Sequence, residues 1–492
     1  MTEQAPETRP ATVSETTQQA GEAQPSAGIH ARWDWVEPTV WTERMLTALE
    51  QGVQGGKWFR LMDKVYALPN LRQAFARVKA NHGAAGVDHV TVEEFERDLE
   101  ANLEKLSHSL ADSSYRPQAV RRHWIQKLGS KEQRPLGIPT VRDRMVQAAL
   151  RAVLEPIFER DFAAQSYGFR PERGCKDALR RVDTLLKRGY SWVVDADLKS
   201  YFDTIPRAEL LARVQAKVSD GRVLKLREAF LTQGVLEEMK LWTPEAGTPQ
   251  GAVISPLLST IYLDTLDHEM AEKGIEMVRY ADDFVVWCGT EGEAQQALEA
   301  VRRWTAQAGL TLHPVKTRIM DATPPGGFDF LGYHFEQGRK WPRRKSERKF
   351  QDLIRTKTRR TEGQSLSATI VDLNRTLKGW FGYLNTAINL PSPCWTAGCA
   401  CACAASCATG RADKVGDAER IISAGPTSTS RSSGCSPWIW PTLPPVSPLA
   451  GKTTHWRAGC GRSARPVRRE GDSNSIVSPY PYPKLRTRNQ RG

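Results

Sequence analysis

The feature that most limits the folds open to this chain is Arg279-Tyr280-Ala281-Asp282-Asp283-Phe284-Val285-Val286, where two adjacent acids join two short apolar runs, Met277 to Tyr280 and Phe284 to Trp287. Such runs around a tight bend read as a strand-turn-strand unit. Burying both strands while fixing two anions at their junction is costly unless a cation or several donors compensate. Magnesium fits, because it takes oxygen ligands, keeps some waters and is commonly held by one or two carboxylates plus phosphate oxygens. Taken alone, the acids read first as a solvated hairpin turn, since Asp is a common turn residue.

A second acidic segment shifts that balance. Asp195-Ala196-Asp197-Leu198-Lys199-Ser200-Tyr201-Phe202-Asp203 follows an apolar strand that opens at Ser191 and carries Trp192, Val193 and Val194. Asp195 and Asp203 read as strand-end or helix caps, and Asp197 is the candidate ligand. If this strand neighbours the hairpin, a carboxylate from each can clamp two ions about 3.5 to 4 Å apart. One ion would activate a primer 3′-hydroxyl and the other would stabilise leaving pyrophosphate, which is nucleotidyl transfer.

Around these segments the apolar spacing places further elements. Arg142 to Arg160 carries Met145, Val146, Ala149, Leu150, Val153, Leu154, Ile157 and Phe158 on one helical stripe, with Pro156 in its last turn. Pro206 suits the first turn of another helix. Ser255-Pro256 reads as N-cap and first residue of a helix ending near Gly274. A helix is expected from Glu293 to Ala308, and a strand from Leu310 to His313 after Gly309. The order of elements fits an α+β domain, an antiparallel sheet with helices on one face. Residues 1–32, poor in large apolar groups, form an expected disordered leader.

The strings in chain order resemble those of reverse transcriptases encoded by bacterial group II introns, over roughly residues 34 to 385. Gly83-Ala84-Ala85-Gly86-Val87-Asp88 is similar to that family's N-terminal extension, which contacts intron RNA. Tyr115-Arg116-Pro117, Ile125-Gln126-Lys127 and Arg134-Pro135-Leu136-Gly137-Ile138-Pro139 resemble its fingers. Ser166-Tyr167-Gly168-Phe169-Arg170-Pro171, the Asp197 segment, Gly247-Thr248-Pro249-Gln250-Gly251, Leu312-His313-Pro314-Val315-Lys316-Thr317 and Phe330-Leu331-Gly332-Tyr333 resemble its palm. Leu377-Lys378-Gly379-Trp380-Phe381-Gly382-Tyr383 is similar to the start of the thumb, or maturase region.

The resemblance implies a right-hand polymerase fold: an extension at 33–110, fingers and palm at 111–340 and a partial helical thumb at 341–390. It implies copying of an RNA template into DNA from a DNA primer or target, with dNTPs and two Mg²⁺ ions, and binding of the parent intron RNA. Asp197, Asp282 and Asp283 match the metal ligands, with the Leu198 carbonyl as an extra one. Lys127 and Arg134 match cations that reach the triphosphate, a task suited to the planar fork of Arg. Phe202 matches the wall under the sugar, Gln250 and Gly251 the loop against the nascent pair, and Lys316 a proton donor to pyrophosphate. Tyr280 and Ala281 set the turn and touch the primer. Outside the family, each of these would read as an ordinary core, turn or solvated residue.

The formal charge of +13 suggests an anionic partner. Residues 391–492, however, hold 14 Lys or Arg against 5 Asp or Glu, so +9 sits there and only +4 before it. That segment has no helical or strand period, and its cysteine spacing does not match paired zinc ligands. Read one nucleotide earlier, the codons from Cys394 to Ala405 permit LDGWVRMRLRS, and those from Ile421 to Thr427 permit DHQRWPN. Both strings resemble the family's maturase region, so a frameshift between about Tyr383 and Pro391 is expected, with a lineage-specific extension as the alternative. No run of about 18 apolar residues and no secretory signal is present, so a cytoplasmic protein without a membrane partner is expected. Two competing readings remain: an intron RNA-binding splicing cofactor, and a decayed copy without polymerase activity.

Overall fold

The computed structural model describes residues 32–53, 55–126, 133–237, 240–244, 246–248, 250–358 and 365–384. The chain divides into two units, residues 1–357 with 364–388 and residues 358–363 with 389–492; Thr358 apart, the described residues belong to the first. Lys127, Pro249, nearly all of the expected leader and the whole segment read as frameshifted lie outside the described residues.

The helix Val141–Glu159 is the hub. Thr140 caps it, its hydroxyl accepting from the Asp143 amide at 3.1 Å. Burial extends beyond the single apolar stripe expected from spacing: Val141 and every residue from Asp143 to Phe158 are buried. The helix is covered on all sides, so its polar side chains must find partners inside the protein. Asp143 accepts from the Tyr115 hydroxyl at 2.5 Å, the Gln118 amide at 3.1 Å and the Gln233 side chain at 3.2 Å. Gln147 accepts from the Val253 amide at 2.7 Å, and Arg151 pairs with Glu155 at 2.6 Å. N-terminal helices Met62–Tyr66 and Leu68–Ala80 pack on one side of the hub.

The chain then builds three sheets. β1 (Val120–Gln126) and β2 (Gln133–Ile138) form an antiparallel hairpin. After β3 (Trp192–Ala196) the chain returns to that sheet with β4 (Val235–Glu237), parallel to β1, and β5 (Lys240–Trp242). β6 (Glu276–Tyr280), β7 (Asp283–Cys288) and β8 (Arg318–Asp321) join β3 in a wholly antiparallel central sheet of order β6-β7-β3-β8. β9 (Phe328–Phe330), β10 (Tyr333–Glu336) and β11 (Arg339–Pro342) make a third sheet.

This is the mixed α and β architecture expected, with three local corrections. The central sheet is buried on both faces: Val193, Val194, Val285 and Val286 are all 0% exposed. One face packs on the helices Ser255–Glu272 and Glu291–Gln307, and Trp287 on the other meets Phe328 edge-on at 5.4 Å. The strand expected at Leu310 to His313 is a single bridge, Leu198 to Leu312, and the fourth strand comes later as β8. Ser255 is the first residue of its helix rather than the cap, which is Ile254. Helices Arg344–Lys357 and Leu366–Leu384 close the described chain, Phe350 stacking on Trp380 at 4.1 Å. Among the described residues no helix is long and apolar enough to cross a membrane.

Replacing Asp143 with Ala strands the Tyr115 hydroxyl, the Gln118 amide and the Gln233 side chain without their shared acceptor. Asp143→Ala is expected to lower unfolding free energy by about 3 kcal/mol, read as a shifted urea midpoint at unchanged slope. An unchanged midpoint would mean the network carries no stability.

Candidate active site

Tyr280 pairs with Asp283, so only Ala281 and Asp282 form the loop between β6 and β7. Ala281 has φ +61°, a left-handed conformation that costs a non-glycine residue roughly 1 kcal/mol. The protein around it supplies the restraint. Arg279, fully buried, sets its guanidinium on the equally buried Asp267, with Nε at 2.8 Å from Oδ1, and donates from Nη1 to the Ala281 carbonyl at 2.9 Å. On the outer edge the Tyr167 amide donates to the Arg279 carbonyl at 2.8 Å, and the Arg279 amide to Gln165 at 2.9 Å. Gly168 fits against this turn only as glycine, because a Cβ there would lie 2.1 Å from the Ala281 nitrogen.

The register brings the acids together. Ala196 pairs with Phe284, so one step further Asp197 comes opposite Asp283. Directly opposed residues on antiparallel strands have Cβ atoms about 5 Å apart. Both acids line an open cleft of about 380 Å³, with Lys316, Arg318, Leu331 and Arg343. Enclosure by the protein pushes the Asp283 carboxyl up to about 7; Asp282, Asp197 and Asp195 add to the push, and Arg343 opposes it. Its side chain still meets water on the cleft side, which screens part of that effect. Burial also raises Asp282, with Asp197 adding and Arg134 and Arg279 opposing. Burial raises Asp195 too, against the pull of Arg318 at 3.5 Å. A repelled group of this kind calls for a cation.

Lys316 supplies one charge, its ammonium 2.6 Å from Asp197. The bridge at Leu198 fixes the segment carrying Lys316: the His313 amide donates to the Asp197 carbonyl at 2.7 Å and the Lys199 amide to Thr311 at 2.9 Å. In that pattern the two flanking residues make the bonds, and the carbonyl of Leu198 itself points away from Leu312. Among the described residues no three Asp, Glu, His or Cys side chains close into a metal cage. An open set of carboxylate and carbonyl oxygens suits a hard cation that keeps waters and takes substrate phosphate, and it does not suit zinc.

The other expected residues stand around this cleft. Arg134 is exposed on β2 and draws both Asp282 and Asp203 toward ionisation. Phe202 is half-buried, edge-on to Tyr201 at 5.4 Å. The Thr248 amide donates to the Phe202 carbonyl at 2.7 Å, and the Gln250 carbonyl accepts from Gly137 at 2.7 Å. Thr248 is thus tied to the short helix Tyr201–Thr204 and Gln250 to the β1–β2 hairpin. Gly251 has φ +102° and lies where a Cβ would be 2.5 Å from the Gly137 carbonyl. The Gln250 side chain reaches Asp203 at 3.4 Å. Tyr280 is buried, 8% exposed, in the wall rather than open to the cleft.

Sequence reasoning missed Asp267, Arg343 and the role of Tyr383. Asp267 sits among Leu263, Leu266 and Met270 on an apolar helical face, and an acid there signals a buried partner. Leu331, with φ +47°, lines the cleft, and the Tyr383 hydroxyl donates to its carbonyl. Tyr333 in turn donates to the Tyr383 carbonyl at 2.8 Å.

The family model for Reverse transcriptase (RNA-dependent DNA polymerase) matches residues 125–335, which contain all of these acids. The group II intron-encoded protein LtrA of Lactococcus lactis subsp. cremoris is 40% identical over 196 residues, 39% of this chain and 32% of its own length. Protein YkfC of Escherichia coli (strain K12) is 32% identical over 345 residues, covering 62% of this chain and 85% of that protein. Nuclear intron maturase 2, mitochondrial, of Arabidopsis thaliana is 31% identical over 231 residues, 39% of this chain and 31% of the maturase. The chain thus spans about a third of the length of LtrA.

Asp267→Ala leaves the Arg279 charge buried and unpaired, and should cost roughly 3–5 kcal/mol of folding stability. Chemical denaturation checks this, and a loss below about 1 kcal/mol would mean that the pair does not brace the turn.

Proposed function

From the premise that the chain belongs to the group II intron reverse transcriptase/maturase family, we propose that it copies RNA into DNA at the cleft between Asp197 and Asp283. The observation that carries this reading is the β3–β7 register, which aligns those two acids beside Asp282. Asp197, Asp282 and Asp283, with the Leu198 carbonyl, would hold two magnesium ions, which would supply charge neutralisation for an in-line displacement at phosphorus.

The chain's own residues do the rest. Arg134 and Lys127 grip the triphosphate of a dNTP, and Phe202 closes the space under its sugar against a 2′-hydroxyl. Gln250 and Gly251 pack on the nascent pair, positioned by the hydrogen bond between Gly137 and Gln250. Lys316, whose ammonium lies 2.6 Å from Asp197, would give its proton to departing pyrophosphate. Ala281 sets the turn, and Tyr280 stiffens the wall beside the primer end. RNA is held mainly through backbone and 2′-hydroxyl contacts, because the A-form major groove is too narrow to read.

Residues 33–110 act as the extension, 111–340 as fingers and palm and 341–390 as a partial thumb. The partners are an RNA template, the parent intron RNA, a DNA primer or target and dNTPs, all met in the cytoplasm. If residues 391–492 are a frameshift product, intron binding, splicing and mobility are impaired while palm chemistry survives. A second reading, a splicing cofactor with an idle palm, draws on the maturase named among the relatives.

Primer extension on an RNA template with magnesium separates the readings. Asp282→Asn is expected to reduce extension by more than about 10³-fold with an unchanged melting temperature. Full activity in that variant would remove the site proposed here. Splicing stimulated by a variant that cannot extend would favour the cofactor reading.

A further inference from the structure

The turn between β9 and β10 lines the same cleft as the acids, and it is held from outside its own sheet. Phe330 pairs with Tyr333, which leaves Leu331 and Gly332 as a two-residue loop with φ of +47° and +83°. Positive φ at both positions suits the twist of a hairpin, yet the leucine Cβ resists it. Both carbonyls of the loop are taken by the end of the described chain. That of Gly332 accepts from the Arg343 amide at 3.0 Å and the Ser346 hydroxyl at 3.2 Å, at the start of the helix Arg344–Lys357. That of Leu331 accepts from the Tyr383 hydroxyl, in the last turn of the helix Leu366–Leu384.

Tyr383 also reaches toward the acidic turn. Cys175, the first residue of the helix Cys175–Lys187, hydrogen-bonds the side chains of both Tyr280 and Tyr383. Tyr280 closes the loop that carries Ala281 and Asp282. A phenol has one proton to give, and that of Tyr383 goes to the Leu331 carbonyl. Toward the thiol Tyr383 can therefore only accept, so the Cys175 S–H donates to it and the sulfur accepts from Tyr280. Burial pushes the thiol up, against the two tyrosines, so near neutral pH it keeps the proton that this direction requires. One directed chain thus runs from Tyr280 through Cys175 and Tyr383 to Leu331. The helix that carries Cys175 is clamped to both sheets: Arg181 meets Glu276 of β6 at 2.6 Å, and the buried Lys340 of β11 meets Asp183 at 2.5 Å.

We propose that Tyr383 is a positioning residue for nucleotidyl transfer: bound to Leu331 directly and to Tyr280 through Cys175, it sets how far apart the two turns stand. Tyr383 need not touch substrate. It acts on the spacing of the cleft, and a small error there misplaces a reacting group at a large cost in rate. The phenol is itself fixed, because the Tyr333 hydroxyl donates to the Tyr383 carbonyl at 2.8 Å and the two rings lie 5.6 Å apart. A thiol and two phenols in a largely enclosed place are kept there by one another, which makes the bridge a unit rather than three separate contacts. Its effect on rate rests on the polymerase reading of the cleft; the bridge itself does not.

The test uses the full chain with Tyr383→Phe, Cys175→Ala, Cys175→Ser, and Tyr383→Phe combined with Cys175→Ala. Single-turnover primer extension on an RNA template should slow by about tenfold to a hundredfold in Tyr383→Phe and in Cys175→Ala, with the half-saturating dNTP concentration and the melting temperature unchanged. Cys175→Ser keeps a donor and an acceptor and should recover most of the rate. Both changes cut one chain, so the combined variant should be no slower than the slower single one. Hydrogen exchange of the protein alone, read by mass spectrometry, should quicken in both turns, 280–283 and 330–333, in either Tyr383→Phe or Cys175→Ala. Full speed in Tyr383→Phe, losses that multiply in the combined variant, or quickened exchange only beside the altered residue would overturn the bridge. A parent protein that cannot extend primers would sink the polymerase reading instead, and the exchange result would then decide the bridge alone.

Discussion

The buried pair of Arg279 and Asp267 is the contact on which the geometry of the acidic cleft depends. A guanidinium with no exposed surface cannot hydrate, so its position is dictated by the carboxylate opposite and by the carbonyl it also reaches, that of Ala281. Ala281 in turn holds a left-handed backbone that a two-residue loop needs and a side chain resists. With the turn locked in this way, Asp282 and Asp283 leave the sheet in fixed directions. Their place relative to Asp197 is then a matter of register, and a slip of one residue would send Asp283 to the other face.

The acids so placed repel one another, and the surrounding cations show how the chain tolerates them. Lys316, Arg318 and Arg343 stand around the cleft, and Arg134 acts on Asp282 from the hairpin sheet. These cations come from three segments of the chain, Lys316 and Arg318 sharing one, so charge balance at the cleft is also a restraint on how those segments meet. The cleft therefore concentrates negative charge that a bound cation would relieve.

Much of this was legible in the residues. The acidic hairpin, the strand ending before Asp197 and the helix opening at Ser255 are read from short local patterns, and local patterns are what spacing reports. The buried pair was not legible in the same way, because Asp267 and Arg279 lie on a helix and a strand whose meeting is a tertiary event. The central helix misled for a related reason. Spacing marks the residues that must be buried, and it is silent about Asp143 and Gln147, which are buried because other segments bring them donors. The strand placed at Leu310 to His313 is instead one bridge, whose bonds are made by Asp197 and Lys199 on either side of Leu198, a tertiary meeting that local spacing does not report.

The wall opposite the acids has its own restraint, and it comes from the end of the described chain. Leu331 and Gly332 both have positive φ, so the turn between β9 and β10 is not one that its sequence favours unaided. The Tyr383 hydroxyl holds the Leu331 carbonyl, and Tyr333 holds Tyr383 by its backbone. The helix Leu366–Leu384 therefore shapes the cleft through one side chain near its last turn.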